Sequence, residues 1–181
     1  MSLQLIDIRD ESIIDSFPVL NCDYSVLNVG CGRGRIDFYL SEIGYNVLAT
    51  DAKRHDTWKD GKRIEFRVAN IFDETFHSAD IVICSEVLEH LKEWRIALGN
   101  LVKAALSRLI VTVPLKKSYD DPDHCNYWDD HGHDQYSSVS EFVSICHPFS
   151  VSISKIRTKP EDKAMGQWAY LIVVDKKQRY Q

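Results

Sequence analysis

The sequence predicts an α/β fold: a three-layer sandwich on a doubly wound, mostly parallel seven-stranded sheet with an antiparallel edge hairpin. Three observations predict it. Short apolar runs alternate with stretches of helical period from residue 25 to residue 146. Strands that alternate with helices build a parallel sheet covered on both faces. The first apolar run ends in three alternating glycines, Gly30, Gly32 and Gly34. Two late apolar runs, 149–156 and 168–175, have no clear helical pattern between them and read as a hairpin at one edge.

The elements follow in order. "SVLNV" (25–29) is a short apolar run that stops at glycine and reads as the first strand. "RIDFYLSEIG" places Ile36, Tyr39, Leu40 and Ile43 at helical spacing and stops at Gly44. "NVLATD" (46–51) is a second strand, and "RIEFRVAN" (63–70) alternates Ile64, Phe66 and Val68 as a third. "ADIVICS" (79–85) is a continuous apolar run, the mark of a strand buried on both faces. "WRIALGNLVKAAL" (94–106) is a helix carrying Ile96, Leu98, Leu101, Val102 and Leu106 mostly on one side. "RLIVTVP" (108–114) is a fifth strand closed by proline, and "SSVSEFVSIC" (137–146) is a helix capped by Ser138 or Ser140. The connections near 52–62 and 70–78 are too short for long helices, so the architecture is trimmed.

Composition sets the class. The chain has 181 residues, 44% hydrophobic and 27% charged, which is ordinary for a globular protein with one core. A single domain over 1–181 is expected. A net charge of −5 leaves no basic footprint, so nucleic acid is not an expected partner. No apolar run approaches a membrane span, and "MSLQLIDIRD" lacks signal-peptide anatomy. The five cysteines are dispersed, with no C-x-x-C pair, which suits a reducing, cytoplasmic setting.

In a doubly wound sheet, ligands bind beyond the carboxyl ends of the strands. Glycine there permits positive φ and close approach of a ligand to backbone. A dinucleotide fingerprint runs G-x-G-x-x-G, but Arg35 stands where its third glycine belongs. The pattern is G-x-G-x-G, in "VLNVGCGRG". It resembles the first motif of class I S-adenosylmethionine-dependent methyltransferases, which have a Rossmann-like fold. "ADIVICSEVLEHL" and "RLIVTVP" resemble that family's fourth and fifth motifs. The resemblance covers about residues 25–175 and is specific for the cofactor, not for the substrate.

That resemblance implies S-adenosyl-L-methionine as cofactor, with the turn (Gly30, Cys31, Gly32, Gly34) near its methionyl part and ribose. Asp51, with Ala52 following, implies a carboxylate for the ribose hydroxyls; it lies at a strand end, seventeen residues beyond Gly34. Asn70 and Ile71 imply the adenine contact, through an amide oxygen or main chain, with Asp73 a neighbouring candidate. Ser85 and Glu86 close the cofactor set. The family carries an acid two residues before the first glycine, where this chain has Asn28. Cofactor binding is expected to survive, in weaker form.

Two clusters carry candidate chemistry. "SEVLEH" places Glu86, Glu89 and His90 at i, i+3 and i+4, one face of a helical turn. "DDPDHCNYWDDHGHDQYSS" adds His124, His131 and His133 beside Tyr127, Trp128 and Tyr136. A neutral histidine can take a proton from a hydroxyl as methyl transfer proceeds, so His90, His131 and His133 are the catalytic candidates. The transfer is one in-line displacement, and alignment is the main requirement.

The expected function is methyl transfer to a small-molecule acceptor, with oxygen the favoured accepting atom. No obligatory metal is expected. E-x-x-E-H with His133 about forty residues on also resembles the metal-dependent 2′-O-methyltransferases of RNA 3′ ends. A non-catalytic S-adenosylmethionine-binding module and a nicotinamide oxidoreductase are the alternatives of other classes. Acceptor identity and oligomeric state are open at this level.

Overall fold

Alternating apolar segments bury their faces by stacking edge to edge. In the computed structural model, which describes residues 7–18, 23–73, 77–115, 128–129, 137–158 and 168–176, they form one seven-stranded sheet. Its strands are β1 (Ser25–Val29), β2 (Asn46–Asp51), β3 (Ile64–Val68), β4 (Ala79–Ser85), β5 (Ala105–Pro114), β8 (Ser150–Arg157) and β9 (Trp168–Asp175). A separate bridge joins the two-residue strands β6 (Trp128–Asp129) and β7 (Ser137–Ser138). The sheet order is β3-β2-β1-β4-β5-β9-β8. The first five are parallel, and β9 runs antiparallel to both β5 and β8. The chain therefore winds outward from β1 to β3, then crosses to β4 on the other side. The switch point lies between β1 and β4, where such sheets bind ligands.

Among the described residues four α-helices cover the faces: α1 (Ile8–Asp15), α2 (Arg35–Glu42), α3 (Trp94–Ala104) and α4 (Val139–Cys146). On one face α1 and α2 bury Ile13, Ile36 and Leu40 against Val26, Val47, Ile81 and Ile110. On the other, α3 and α4 bury Trp94, Leu98, Leu101 and Phe142 against Leu27, Val82, Leu109 and Val111. Trp94 stacks on Phe142 with centroids 6.3 Å apart and meets the edge of Trp128 at 5.4 Å. No helix among the described residues is long and apolar enough to cross a membrane.

The structure corrects the expectations in three places. α1 has no counterpart in the sequence reading; its capping residue Asp7 accepts from Asp10 N–H at 2.9 Å. The helix expected over 94–106 ends at Ala104, and β5 begins at Ala105 rather than at 108. Leu106 and Ile96, counted on its apolar side, are exposed; the buried stripe is Trp94, Ala97, Leu98, Leu101 and Ala104. Two small alanines at the helix-to-strand junction let the strand start early, where pairing with β4 outweighs one more helical turn. Of the two capping candidates for α4 it is Ser138 that caps, accepting from Ser140 N–H at 3.1 Å. As expected, no helix joins β2 to β3.

Candidate active site

Each glycine of the turn after β1 has a different reason. All three have positive φ, at 76°, 54° and 79° for Gly30, Gly32 and Gly34. A Cβ on Gly30 would lie 2.2 Å from Val87, and one on Gly34 would lie 2.6 Å from Phe66. A Cβ on Gly32 would meet nothing within 4 Å. Gly30 and Gly34 therefore let the chain pack, whereas Gly32 opens its bare backbone to space a ligand could use.

The neighbouring strand holds the turn in place. Gly30 and Cys31 donate their N–H groups to Thr50 O at 2.8 and 2.9 Å. Gly32 N–H donates to the Asp51 carboxylate at 2.9 Å, and Lys53 N–H reaches its other oxygen at 3.2 Å. His55 Nε2 lies 3.8 Å from the same carboxylate. The loop after β2 then folds back over the turn. The indole N–H of buried Trp58 donates to Gly32 O at 2.7 Å, and its ring stacks on Phe66 at 5.2 Å. A loop thus does the covering that a crossover helix would otherwise do. Ala52 is exposed beside Asp51.

Asn28 lies beneath the turn, 3% exposed, and donates its amide hydrogens to both oxygens of Asp37 at 2.9 and 3.0 Å. Asp37, in the first turn of α2, is fully buried. Burial pushes its carboxyl up to about 7, with the Asn28 bonds opposing. Burial, with Asp37 and Asp51 nearby, also keeps the Cys31 thiol protonated. Arg35 bridges the start of α2 to α1, 2.5 Å from Asp7 and 2.8 Å from Asp10.

The remaining cofactor candidates are placed as follows. Asn70 is exposed, and its side-chain oxygen accepts from Phe72 N–H at 3.1 Å, which closes its own turn. The Ile71 side chain is buried in the core, and its carbonyl accepts from Asn100 at 2.9 Å. Core packing thus occupies the side chain expected against adenine. Ser85 and Thr112 hydroxyls lie 2.8 Å apart at the ends of β4 and β5, and Thr112 also donates to Glu86 at 3.2 Å.

After β4, the sharing of one face by Glu86, Glu89 and His90 does not occur. Glu86 takes φ +56°, a left-handed turn that breaks any helix before it starts. A 3-10 turn, Leu88–His90, follows. It buries Glu89 completely and leaves His90 exposed. No group of three metal-binding side chains forms among the described residues. Glu89 has no hydrogen-bond partner at either carboxylate oxygen. Burial, reinforced by the Glu86 charge, raises its pKa well above the usual range; burial raises that of Glu86 too, with Arg9 opposing. The nearby Glu86 charge thus favours a protonated Glu89 over two charges. His124, His131, His133, Tyr127 and Tyr136 lie outside the described residues; Trp128 is described and fully buried in the core.

Sequence reasoning missed Asp37, Trp58 and His55. Asp37 is an acid at a helical position between two buried ones, Ile36 and Leu40, and that mismatch was the available signal. Trp58 sits in a polar loop that offers no periodicity to read. A groove of about 360 Å³ opens at the opposite end of the sheet, lined by Asn46, Arg63, Glu65 and His77 among others. It lies at the amino ends of the strands, away from the glycine turn, whereas doubly wound sheets bind ligands at the carboxyl ends.

The fold is a doubly wound sheet whose glycine turn stands at the β1–β4 switch point. Residues 27–106 match the methyltransferase domain family. The ubiquinone biosynthesis O-methyltransferase of Rickettsia prowazekii is 36% identical over 107 residues, which is 53% of this chain and 42% of that protein. That of Rickettsia canadensis is 26% identical over 183 residues, covering 89% of this chain and 78% of that protein. The chain thus spans less than half the length of the first of these relatives. Magnesium protoporphyrin IX methyltransferase from Synechocystis, solved with S-adenosylhomocysteine, superposes with a TM-score of 0.65 at 17% identity over 92% of this chain and 83% of that one. The fold is the Rossmann-like one of class I S-adenosylmethionine-dependent methyltransferases.

Proposed function

We propose that this chain is a methyltransferase that takes a methyl group from S-adenosylmethionine and passes it to an oxygen of a small-molecule acceptor. The observation that carries the reading is Gly32, bare and open at positive φ, with its N–H on the Asp51 carboxylate at 2.9 Å. A side chain at Gly32 would fill the space that a ribose and methionyl chain need, and Asp51 keeps free lone pairs for two hydroxyls. S-adenosylmethionine supplies an electrophilic methyl on a sulfonium when bound. Gly30, Cys31 and Gly32 line it, Asp51 orients the ribose, and the segment after Asn70 borders the adenine. The protein's main contribution is alignment of acceptor and methyl. His90, His131 and His133 are the candidates for removing the acceptor's proton. Relatives named O-methyltransferases support oxygen as the accepting atom.

Titration calorimetry with S-adenosylmethionine, S-adenosylhomocysteine and NAD tests the reading. The first two bind and the third does not. Asp51→Ala weakens binding by about 1.5–3 kcal/mol, because it removes a charged acceptor; equal affinity in the variant would overturn the ribose assignment. Binding without turnover across phenolic and hydroxylated acceptors would favour the non-catalytic module. Activity is expected to survive a chelator, since Glu89 is buried and His90 exposed. Loss with chelator, rescue by magnesium or manganese and equal loss in Glu89→Ala and His133→Ala would move the protein to the RNA 2′-O-methyltransferase reading.

A further inference from the structure

The glycine turn is a loop whose two ends are pinned to each other. Asn28, the next-to-last residue of β1, gives both amide hydrogens to Asp37 in the first turn of α2, at 2.9 and 3.0 Å. Between them lie all three glycines of the turn, each at positive φ. An ionised carboxylate only accepts, so it fixes the amide with nitrogen toward α2 and oxygen turned away. The pair is buried, Asn28 at 3% and Asp37 at 0% exposure. A buried carboxylate costs stability, and an asparagine or hydrophobic residue would fill the same place more cheaply.

We propose that Asp37 is a positioning residue for the methyl-donor site: with Asn28 it clamps the loop of residues 28–37 in its ligand-ready shape. This rests on the S-adenosylmethionine reading above. The clamp is strongest when Asp37 is ionised, because bonds to a charged acceptor are about twice as strong as neutral ones. Burial raises the Asp37 carboxyl to about 7, with Asp10 of α1 adding to the rise and Asn28 of β1 opposing it. From the turn, the Cys31 thiol faces it and stays protonated. Arg35 of α2 is committed to Asp7 and Asp10 of α1. Affinity for the donor therefore rises with pH through about 7. Stability runs the other way. A carboxyl whose folded pKa exceeds its unfolded value loses stability as pH rises between the two, here from 3.8 to about 7.

Those opposite signs separate a positioning role from a structural one. S-adenosylhomocysteine affinity is measured by calorimetry from pH 6 to 8.5 on wild type, Asp37→Asn and the exchanged double variant Asn28→Asp/Asp37→Asn. Asp37→Asn is expected to bind about five- to tenfold more weakly at pH 8, to lose the rise through neutrality, and to melt no lower than wild type at pH 8. The exchange, which puts the acid on the strand and the amide on the helix, restores affinity to within about twofold. Unchanged affinity and pH profile in Asp37→Asn, or no recovery in the exchange, overturns the clamp. Hydrogen exchange at the Gly30 and Cys31 amides, corrected for intrinsic rate, reads the loop without ligand. Protection that rises through neutral pH in wild type and not in Asp37→Asn supports the clamp; equal profiles overturn it. Wild type that binds no donor but shows this protection would sink the cofactor reading and keep the clamp.

Discussion

The turn after β1 and the turn after β4 lie side by side at the same end of the sheet, and they are built on opposite terms. After β1, strain is carried by glycines, and the polar groups around them are paired: Gly30 and Cys31 on Thr50, Gly32 on Asp51, Asn28 on Asp37. After β4, strain is carried by a glutamate at φ +56°, and the neighbouring buried carboxylate has no hydrogen-bond partner. Strain and unpaired buried groups persist only where surrounding structure holds them. The difference teaches how one sheet end can hold a paired turn beside an unpaired one. The first turn is held in one shape by its hydrogen bonds, with Gly32 left open. The second keeps a buried carboxylate with no hydrogen-bond partner.

The sharpest way to break that contrast is at the glycines. Gly30→Ala forces a methyl onto Val87 at positive φ and should cost about 3 kcal/mol of stability, read by denaturant unfolding. Gly32→Ala should cost only about 1 kcal/mol, yet abolish measurable donor binding, because its face is open. Equal stability losses in the two would show that Gly32 is packed like the others. Next comes Glu89→Gln. The Glu89 carboxyl titrates well above its unfolded pKa of 4.5. Wild type therefore loses stability as pH rises from 4.5 toward the folded value. The variant should match wild type near pH 4 and exceed it by about 1–3 kcal/mol at pH 8. A variant less stable at pH 8 would mean that the carboxylate has a partner and that the two turns are alike. The smallest effect is expected at Trp58→Phe, which keeps the stack on Phe66 and removes the bond to Gly32 O. It should cost about 1 kcal/mol in thermal unfolding and loosen the donor site slightly.

The sheet was legible in the sequence because its signals are local. "SVLNV", "NVLATD" and "ADIVICS" occupy Ser25–Val29, Asn46–Asp51 and Ala79–Ser85, the boundaries read for them. An apolar run bounded by glycine or a polar residue carries its own ends. The glycine turn and Asp51 were legible for the same reason, since the motif is contiguous and a strand end fixes where an acid falls. The pattern of α3 was less decisive. Its last leucine fits a helix as well as a strand, and pairing with β4 settled the matter. The regular helical turn expected for Glu86, Glu89 and His90 is replaced by a left-handed Glu86 and a 3-10 turn, which buries Glu89 and exposes His90. Asp37 left only the mismatch of an acid between Ile36 and Leu40, and Trp58 and His55 left no signal. Their meaning comes from partners 9, 26 and 4 residues away in sequence, brought together by packing. The sequence by itself determined the strands, the turn and the ligand class they imply, because periodicity and glycine spacing are local properties. Only the tertiary structure decided which acids are buried, which are paired and which glycine is open, because desolvation and contact depend on what the rest of the chain places beside them.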